Sequence, residues 1–364
     1  MRRLLVTGGA GFIGANFVHH WLGAHPGGRL VVLDALTYAG NLANLEPVKA
    51  REELRFVQGD IRDTPLIERL LREESLDTIV HFAAESHVDR SIHGPDAFIE
   101  TNVQGTHSML KAARKVWLEE RTVPKHRFHH VSTDEVYGSL GPADPAFHER
   151  TPYAPNSPYS ASKAASDHLV RAYHHTYGLE VTTSNCSNNY GPFHFPEKLI
   201  PLTIVNLLHG RPLPIYGDGR NIRDWLHVSD HCRGIDLILE KGRPGEVYNI
   251  GGGVESENLK LIELLCTVAD ERFGAQELCS RFPQCPAARG GTSASLIQFV
   301  KDRPGHDRRY AIDCGKAERE LGYRAAVTLA SGLRSTFDWY VENEWWWRAV
   351  MDGSYQRWIE THYR

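Results

Sequence analysis

The segment Ser132–Glu135 sets hydroxyl and carboxyl groups side by side, as a site for proton transfer requires. It follows Phe128–Val131, which predicts a buried strand, and open α/β sheets bind their ligands at the carboxyl ends of strands. Neighbouring side chains of a strand point to opposite faces, so Asp134 and Glu135 can face one substrate only if the strand ends before them. We predict that it does. Taken alone, a hydroxyl residue followed by an acid is also typical of a helix start.

A tyrosine and a lysine lie four residues apart in a segment with helical character. The segment Ser157–Tyr177 predicts a helix on which Tyr159 and Lys163 share one face. An ammonium group beside a phenol favours the phenolate, so we expect Lys163 to lower the pKa of Tyr159 from ~10 and make it a general base. The alternative is an ordinary pair on a helix surface.

A glycine-rich turn follows the first predicted strand and leads into a helix. Gly8, Gly11 and Gly14 lack Cβ atoms, so the backbone can approach a pyrophosphate at the helix amino terminus. The second predicted strand ends at Asp34, an acid suited to hydrogen-bond a ribose 2′-hydroxyl. Because residues 36–41 contain no arginine for a 2′-phosphate, the sequence favours NAD over NADP.

The composition excludes several kinds of partner. A net charge of −4 with scattered basic residues argues against nucleic acid. No apolar run approaches the ~18 residues of a membrane span and no signal peptide precedes the glycine turn, so we expect no membrane partner and a cytoplasmic location. The six cysteines include no C-x-x-C pair, which indicates reduced thiols and gives no metal site.

The sequence resembles the extended short-chain dehydrogenase/reductase superfamily, whose members rework nucleotide sugars with bound NAD. The residues that carry the resemblance are the glycine turn, Asp34, Thr133, Tyr159 and Lys163. Longer motifs are similar to one family within it, the dTDP-glucose 4,6-dehydratases. These motifs are His81–Ser91, Ser132–Gly138, Asn188–Pro192, His194–Leu199, Arg223–Trp225 and Asp302–Asp307. The resemblance spans residues 3–345. Against the family pattern, residues 274–295 form a longer segment than expected, and the chain after Trp347 extends past the usual end.

The resemblance implies that dTDP-glucose is converted to dTDP-4-keto-6-deoxyglucose and water, with tightly bound NAD that is regenerated in each turnover. Tyr159, assisted by Lys163 and Thr133, would take the C4 hydroxyl proton while the C4 hydride passes to NAD. Glu135 would remove the C5 proton as Asp134 protonates the departing C6 hydroxyl, and the hydride would return to C6. These five side chains are the implied catalytic residues, and the enzyme would be a hydro-lyase.

The resemblance also implies two sets of binding residues and no metal. The cofactor contacts are Gly8, Gly11, Phe12, Ile13, Gly14, Asp34, Thr37, Asp60, Ile61, Phe82, Ala83, Ala84, Ser86, Thr101, Tyr159, Lys163 and Asn188. The substrate contacts are Ser86, Thr133, Asn188, Glu197, Lys198, Leu199, Pro214, Tyr216, Arg223, Asn258, Asp302 and His306. From its donor geometry Arg223 suits a phosphate, but an internal ion pair with Asp224 or Asp218 is the alternative.

The alternation of strands and helical stretches predicts an α/β fold, a Rossmann-type doubly wound parallel sheet with a smaller C-terminal substrate-binding α/β region. We expect a mainly NAD-binding domain with the catalytic residues at 1–190, and a mainly nucleotide-sugar-binding region at 191–345 with some strands returning to the sheet. A tail follows at 346–364. The sequence predicts a long helical stretch from Ala97 to Leu118 and a final helix from Thr328 to Trp347. Residues 274–295, rich in Gly, Pro, Ser and Cys, predict a surface insertion. By resemblance, helices beginning near Ala97 and Ser157 would form a homodimer contact.

Three rival functions differ in what they require of these residues. A 4,6-dehydratase acting on UDP-glucose needs the same set. A nucleotide-sugar C4 epimerase needs Tyr159 and Lys163 but has no use for an acid and a base at C5 and C6, so Asp134 and Glu135 argue against it. A noncatalytic NAD-sensing protein would not need the set of Thr133, Tyr159 and Lys163.

Overall fold

The computed structural model describes residues 2–274, 276–302 and 305–351. Strands alternate with helices along the first half of the described chain. In chain order the strands are β1 (Arg3–Thr7), β2 (Arg29–Asp34), β3 (Leu54–Gln58), β4 (Thr78–His81), β5 (Arg127–Thr133), β6 (Val181–Cys186), β7 (Asn188–Tyr190), β8 (Leu213–Tyr216), β9 (Ile222–His227), β10 (Val247–Ile250), β11 (Glu255–Glu257) and β12 (Ile297–Val300).

The helices connect these strands and build most of the C-terminal part. In chain order they are α1 (Phe12–Ala24), α2 (Thr64–Glu73), α3 (Val88–His93), α4 (Asp96–Phe98), α5 (Thr106–Ala113), α6 (Pro158–Tyr177), α7 (Leu199–His209), α8 (Val228–Lys241), α9 (Asn258–Arg272), α10 (Gln276–Arg281), α11 (Gly315–Leu321), α12 (Leu329–Glu342) and α13 (Glu344–Val350). The π-helical turns Ile99–Gly105 and Arg114–Glu119 continue α4 and α5 into one helical stretch, as predicted for Ala97 to Leu118.

Seven strands form one sheet in the order β10-β6-β5-β4-β1-β2-β3, and every neighbouring pair is parallel. The chain runs outward from β1 to β3 and then returns to add β4 on the other side of β1. A crevice therefore opens at the carboxyl ends of β1 and β4, where such sheets bind ligands. Two smaller sheets, β11-β9-β7 and β12-β8, lie in the C-terminal part. The predicted fold class is confirmed.

Helices cover both faces of the large sheet because its strands are apolar on both faces. On β1, Leu4 and Val6 belong to the core shared with α1 and α8. Leu5, which points the other way, belongs to the core shared with α2, α5 and α6. The predicted boundary at residue 190 stays a prediction, as does a separate tail, most of which lies outside the described residues.

Two predictions about the C-terminal part were wrong. Residues 274–295 do not form only a surface insertion, since Phe282 and Cys285 are buried in the core of the C-terminal part and the Ser293 N–H donates to Asp270 at 3.0 Å. Their apolar anchors have no period, so composition alone suggested an exposed loop. The single final helix predicted for Thr328 to Trp347 is divided at Asn343 into α12 and α13.

The glycine turn and α1 touch each other at backbone distance. A Cβ added to Gly14 would lie 2.2 Å from the Gly8 carbonyl oxygen, and Gly8 itself has a φ of +68°, which only glycine adopts without strain. Gly23, near the other end of α1, has no described heavy atom within 4 Å of its added Cβ. Of the two glycines in α1, Gly14 therefore has no room for a side chain, whereas Gly23 has room for one.

We predict opposite effects on stability from the same substitution at these two positions. Gly14→Ala should destabilise the protein by at least ~1–3 kcal/mol, because backbone atoms must move apart. Gly23→Ala should stabilise it by ~0.5–1 kcal/mol, since alanine loses less backbone entropy in a helix. Urea unfolding midpoints of the two variants and the unsubstituted protein measure both effects. Equal midpoints for Gly14→Ala and the unsubstituted protein would contradict the close contact.

Candidate active site

The segment Ser132–Glu135 lies where β5 ends and a 3-10 turn begins. The strand ends at Thr133, and the turn runs from Asp134 to Tyr137, so the strand does end before the two carboxyl groups. The Thr133 hydroxyl caps the turn, because its Oγ1 accepts a hydrogen bond from the Glu135 N–H at 3.3 Å. That hydroxyl also lies 3.3 Å from Asp134 Oδ1.

Asp134 is buried and Glu135 is half-buried, although they are adjacent in sequence. Burial, and then the charges of Glu135 and Asp224, raise the pKa of Asp134 well above its usual value. Asp134 Oδ2 has no hydrogen-bond partner among the described residues. A raised pKa favours the protonated carboxyl group, the form that can donate a proton.

Helix α6 carries Tyr159 and Lys163, and both side chains are buried. Ser157 starts the helix with a capping box, in which its hydroxyl accepts a hydrogen bond from the Ser160 N–H at 3.1 Å. Tyr159 and Thr133, the last residue of β5, line the same cleft, and the Thr133 side chain favours the phenolate form of Tyr159. The helix therefore brings the phenol to the strand end, as predicted.

The expected effect of Lys163 on Tyr159 is not found. Burial and the charge of Glu135 raise the pKa of Tyr159 well above its ordinary value. The ammonium of Lys163 donates to the Val131 carbonyl oxygen at 2.8 Å, and burial lowers the pKa of this lysine while Asp167 opposes the shift. In the protein alone, then, the phenol is held protonated, because its surroundings are dry and already contain a carboxylate.

The glycine turn and the strand ends beside it fit NAD. A Cβ added to Gly8 would lie 2.7 Å from the Ala83 nitrogen, so the turn meets the end of β4 without side chains between them. Asp34 is buried at the end of β2, where its two oxygens accept hydrogen bonds from the Ala10 N–H at 2.9 Å and the Leu36 N–H at 2.8 Å. The bare turn, a helix amino terminus and a fixed carboxylate match the needs of a pyrophosphate and a ribose.

Unsatisfied polar atoms and fixed charges also line the cleft. Among the described residues, Asn188 Oδ1 and Asn258 Oδ1 are buried without a hydrogen-bond partner. Glu197 is buried and pairs with Arg90 at 3.1 Å. Polar atoms left in this way are usual where a ligand supplies the missing partner.

Asp218 pairs with Arg308 at 2.9 Å, although the sequence made it a candidate partner of Arg223. The Arg223 guanidinium donates to the carbonyl oxygens of Ile222 and Asp307, at 2.8 and 2.9 Å, and lies 4.3 Å from the Tyr310 ring centroid. Its charge also acts on the buried Asp134. Arg223 is thus fixed at the wall of the cleft.

One cleft of about 490 Å³ brings the predicted site residues together. The catalytic set, every predicted cofactor contact and every predicted substrate contact except Asp302 line it. Asp302 lies behind it, 2.6 Å from the Nδ1 of His306. The lining residues that sequence reasoning missed include Tyr38, Glu85, His194 and Phe195, of which the last three lie within the motifs His81–Ser91 and His194–Leu199. Tyr38 had no signal, since its contact with Arg90 is tertiary.

Neither a membrane-spanning helix nor a metal site occurs in the described part of the chain. None of its helices is both long and apolar enough to cross a bilayer. Within the same residues, no group of three or more His, Cys, Asp and Glu side chains could hold a metal ion.

The chain is similar to known enzymes along nearly its whole length. A family model described as GDP-mannose 4,6 dehydratase matches residues 5–336. A dTDP-glucose 4,6-dehydratase of Xanthomonas campestris pv. campestris is 55% identical over 358 residues, covering 98% of each chain. The dTDP-glucose 4,6-dehydratase 1 of Escherichia coli K12 is 48% identical over 371 residues, covering 99% of each chain. With such coverage the C-terminal tail is not an addition to the family, and that expectation was wrong.

A solved structure extends this similarity to three dimensions. The dTDP-glucose 4,6-dehydratase DesIV of Streptomyces venezuelae, crystallised with NAD, is 52% identical, with a TM-score of 0.84 over 96% of this chain and 99% of that one. Identity at this level over both full lengths shows that the chain belongs to the dTDP-glucose 4,6-dehydratase family of extended short-chain dehydrogenases/reductases.

Proposed function

We propose that the protein converts dTDP-glucose to dTDP-4-keto-6-deoxyglucose and water, as an NAD-dependent hydro-lyase. The observation that carries this proposal is the convergence of Asp134, Glu135 and Tyr159 around Thr133 in the cleft that also contains the glycine turn. An acid and a base beside the tyrosine that takes the C4 hydroxyl proton serve an elimination. An epimerase would have no use for them.

Each side chain has a role that its surroundings support. NAD, when bound, supplies a hydride acceptor for C4, a positive ring charge that favours the phenolate, and the hydride returned to C6. Tyr159 takes the proton of the C4 hydroxyl, and Thr133 holds the phenol oxygen in place. Lys163 fixes the helix to β5 and adds positive charge. Glu135 removes the C5 proton, and Asp134, whose pKa burial raises, protonates the departing C6 hydroxyl.

The two sets of binding residues divide the cleft between cofactor and substrate. The glycine turn and Asp34 hold the pyrophosphate and adenosine ribose of NAD, and a 2′-phosphate beside Asp34 would meet a like charge. The orphaned amide oxygens of Asn188 and Asn258 accept hydrogen bonds from the nucleotide sugar. Arg223 contributes charge at the diphosphate.

We also propose a homodimer, a cytoplasmic location and no nucleic-acid partner. Two apolar side chains on the helices expected to form the dimer are exposed, Ile99 at 46% and Tyr177 at 43%. An isologous contact between these helices and their copies would cover both. All six cysteines are free thiols, which supports a reducing compartment. The net charge of −4 speaks against a polyanion as partner.

We predict that dTDP-glucose is the preferred substrate when it is compared with UDP-glucose and GDP-mannose under equal conditions. Mass spectrometry should detect loss of one water from dTDP-glucose, and NMR should detect the 4-keto-6-deoxy product. A faster reaction with UDP-glucose would show that the preferred substrate carries uridine and not thymidine. A C4 epimer as the product would favour the rival function of a nucleotide-sugar C4 epimerase. If a folded, NAD-loaded protein formed no product, the rival function of a noncatalytic NAD-sensing protein would be favoured.

We predict that substituting each of the two adjacent carboxyl residues has a different effect on the reaction. Glu135→Gln keeps the shape but removes the base, so product formation and solvent-deuterium exchange at C5 should both fall by ~10²–10⁴. Asp134→Asn should impair product formation to a similar extent, while Glu135 still exchanges the C5 proton. NMR of the recovered sugar nucleotide in deuterium oxide measures the exchange. Unchanged C5 exchange in Glu135→Gln would show that Glu135 is not the base.

We predict a dimer at micromolar concentration by light scattering, and its loss in Ile99→Glu, because the charge would be buried in an apolar contact. Leu42→Glu is the matched control, since Leu42 is equally exposed, at 48%, on the 3-10 turn Leu42–Val48. It should remain a dimer. A monomeric unsubstituted protein would contradict the dimer, and a dimeric Ile99→Glu would contradict this contact face.

A further inference from the structure

The last described helix, α13, reaches the glycine turn from the far end of the sequence. Trp346 is buried, and its indole Nε1 donates to Asn44 Oδ1 at 2.6 Å, across 302 positions of the chain. The Asn44 side-chain amide in turn donates to the Ala10 carbonyl oxygen at 2.8 Å. Ala10 lies inside the glycine turn, so two hydrogen bonds connect a C-terminal indole to the backbone proposed to hold the pyrophosphate.

The connection continues to the proposed ribose site. The Ala10 N–H donates to Asp34 Oδ2 at 2.9 Å, so the peptide groups on both sides of Ala10 are fixed, one by Asn44 and one by Asp34. Asn44 is itself buried, and its carbonyl oxygen lies 2.7 Å from His19 Nε2. A shift of Asn44 would therefore be felt at the turn and at the acid together.

A second contact joins the same tryptophan to the loop that contains Phe193 and His194. Phe193 has a φ of +64°, a strained value for a bulky residue that persists only where surrounding groups impose it. Its ring packs on Trp339 and Trp346, with centroids 4.8 and 5.9 Å away. These two tryptophans come from α12 and α13.

The residue after Phe193 enters the cleft. The His194 ring stacks on Phe12 with centroids 4.2 Å apart and an interplanar angle of 12°. Phe12 is the first residue of α1, directly after the glycine turn, and both rings line the cleft. The Tyr340 hydroxyl of α12 donates to the His194 carbonyl oxygen. The C-terminal helices thus hold the loop against the start of α1.

We propose that Trp346 is a positioning residue for the cofactor: it fixes the glycine turn through Asn44 and the His194 loop through Phe193, and so slows the release of NAD. The inference rests on the proposed function, in which the hydride is returned and NAD need not leave between turnovers. Slow release is then useful, and a residue that holds both the glycine turn and the His194 loop provides it.

Trp347 offers a matched control. It is as buried as Trp346, and its indole Nε1 donates a comparable hydrogen bond, 2.7 Å long, to the Tyr340 carbonyl oxygen. That bond stays within the C-terminal helices and does not reach the NAD-binding half. Trp346→Phe and Trp347→Phe therefore remove the same donor from similar surroundings, but only the first breaks the connection to Ala10.

The experiment measures release of NAD from the full-length chain, purified with its cofactor and diluted into a trap for free NAD. Trp346→Phe should release NAD about tenfold or more faster, as expected when a buried acceptor loses its donor. Trp347→Phe should stay within about twofold of the unsubstituted protein. Urea midpoints, measured in parallel, should fall by similar amounts in both variants, because each loses one buried hydrogen bond.

A coupling test asks whether Trp346 acts through Asn44. Asn44→Ala should itself speed release, and adding Trp346→Phe to it should then increase the rate by less than the single substitution does. Equal release from Trp346→Phe and Trp347→Phe would overturn the inference while leaving the proposed function intact. A full-length protein that binds no NAD at all would overturn both.

Discussion

The ammonium of Lys163 donates to the Val131 carbonyl oxygen, and the geometry of the proposed active site depends on this buried contact. A buried charge is costly unless it is hydrogen-bonded. Moving the Lys163 ammonium away from the strand would therefore cost the protein folding free energy. Ser132, the next strand residue, donates from its hydroxyl to Asp167 Oδ2 at 2.8 Å. Helix α6 is thereby attached to β5 at two successive residues. The third, Thr133, is left opposite Tyr159.

Three buried, neutral histidines lie on the strands of the large sheet near Lys163. Burial lowers the pKa of His81, His129 and His130 well below the ordinary value. A neutral imidazole can both donate and accept, and His81 uses both nitrogens, 2.7 Å from Thr7 Oγ1 and 3.0 Å from Thr106 Oγ1. The strands are connected by polar groups without further positive charge beside Lys163. These histidines therefore add no positive charge to that of Lys163 beside the cleft.

Features set by short spacing were predictable from the sequence, and features set by tertiary contacts were not. The glycine turn, the strand end at Thr133 and the shared face of Tyr159 and Lys163 each follow from a few neighbouring residues. The direction of the Lys163 ammonium does not, because its acceptor is on another element, and the predicted lowering of the Tyr159 pKa was wrong for that reason. Arg223 was equally undecidable, since one of its acceptors, Asp307, lies 84 positions away.

The end of β5 shows how one hydroxyl can separate the roles of two adjacent acids. By accepting the Glu135 N–H, Thr133 starts a 3-10 turn, in which successive side chains are ~120° apart instead of on opposite faces. Asp134 then turns into the interior, where burial raises its pKa, while Glu135 stays half-exposed to the cleft. A strand one residue longer would put the two carboxyl groups on opposite faces of the sheet. Because Tyr159 lines the same cleft beside Thr133, the residue that ends the strand also lies between the phenol and the two carboxyl groups proposed to act as acid and base.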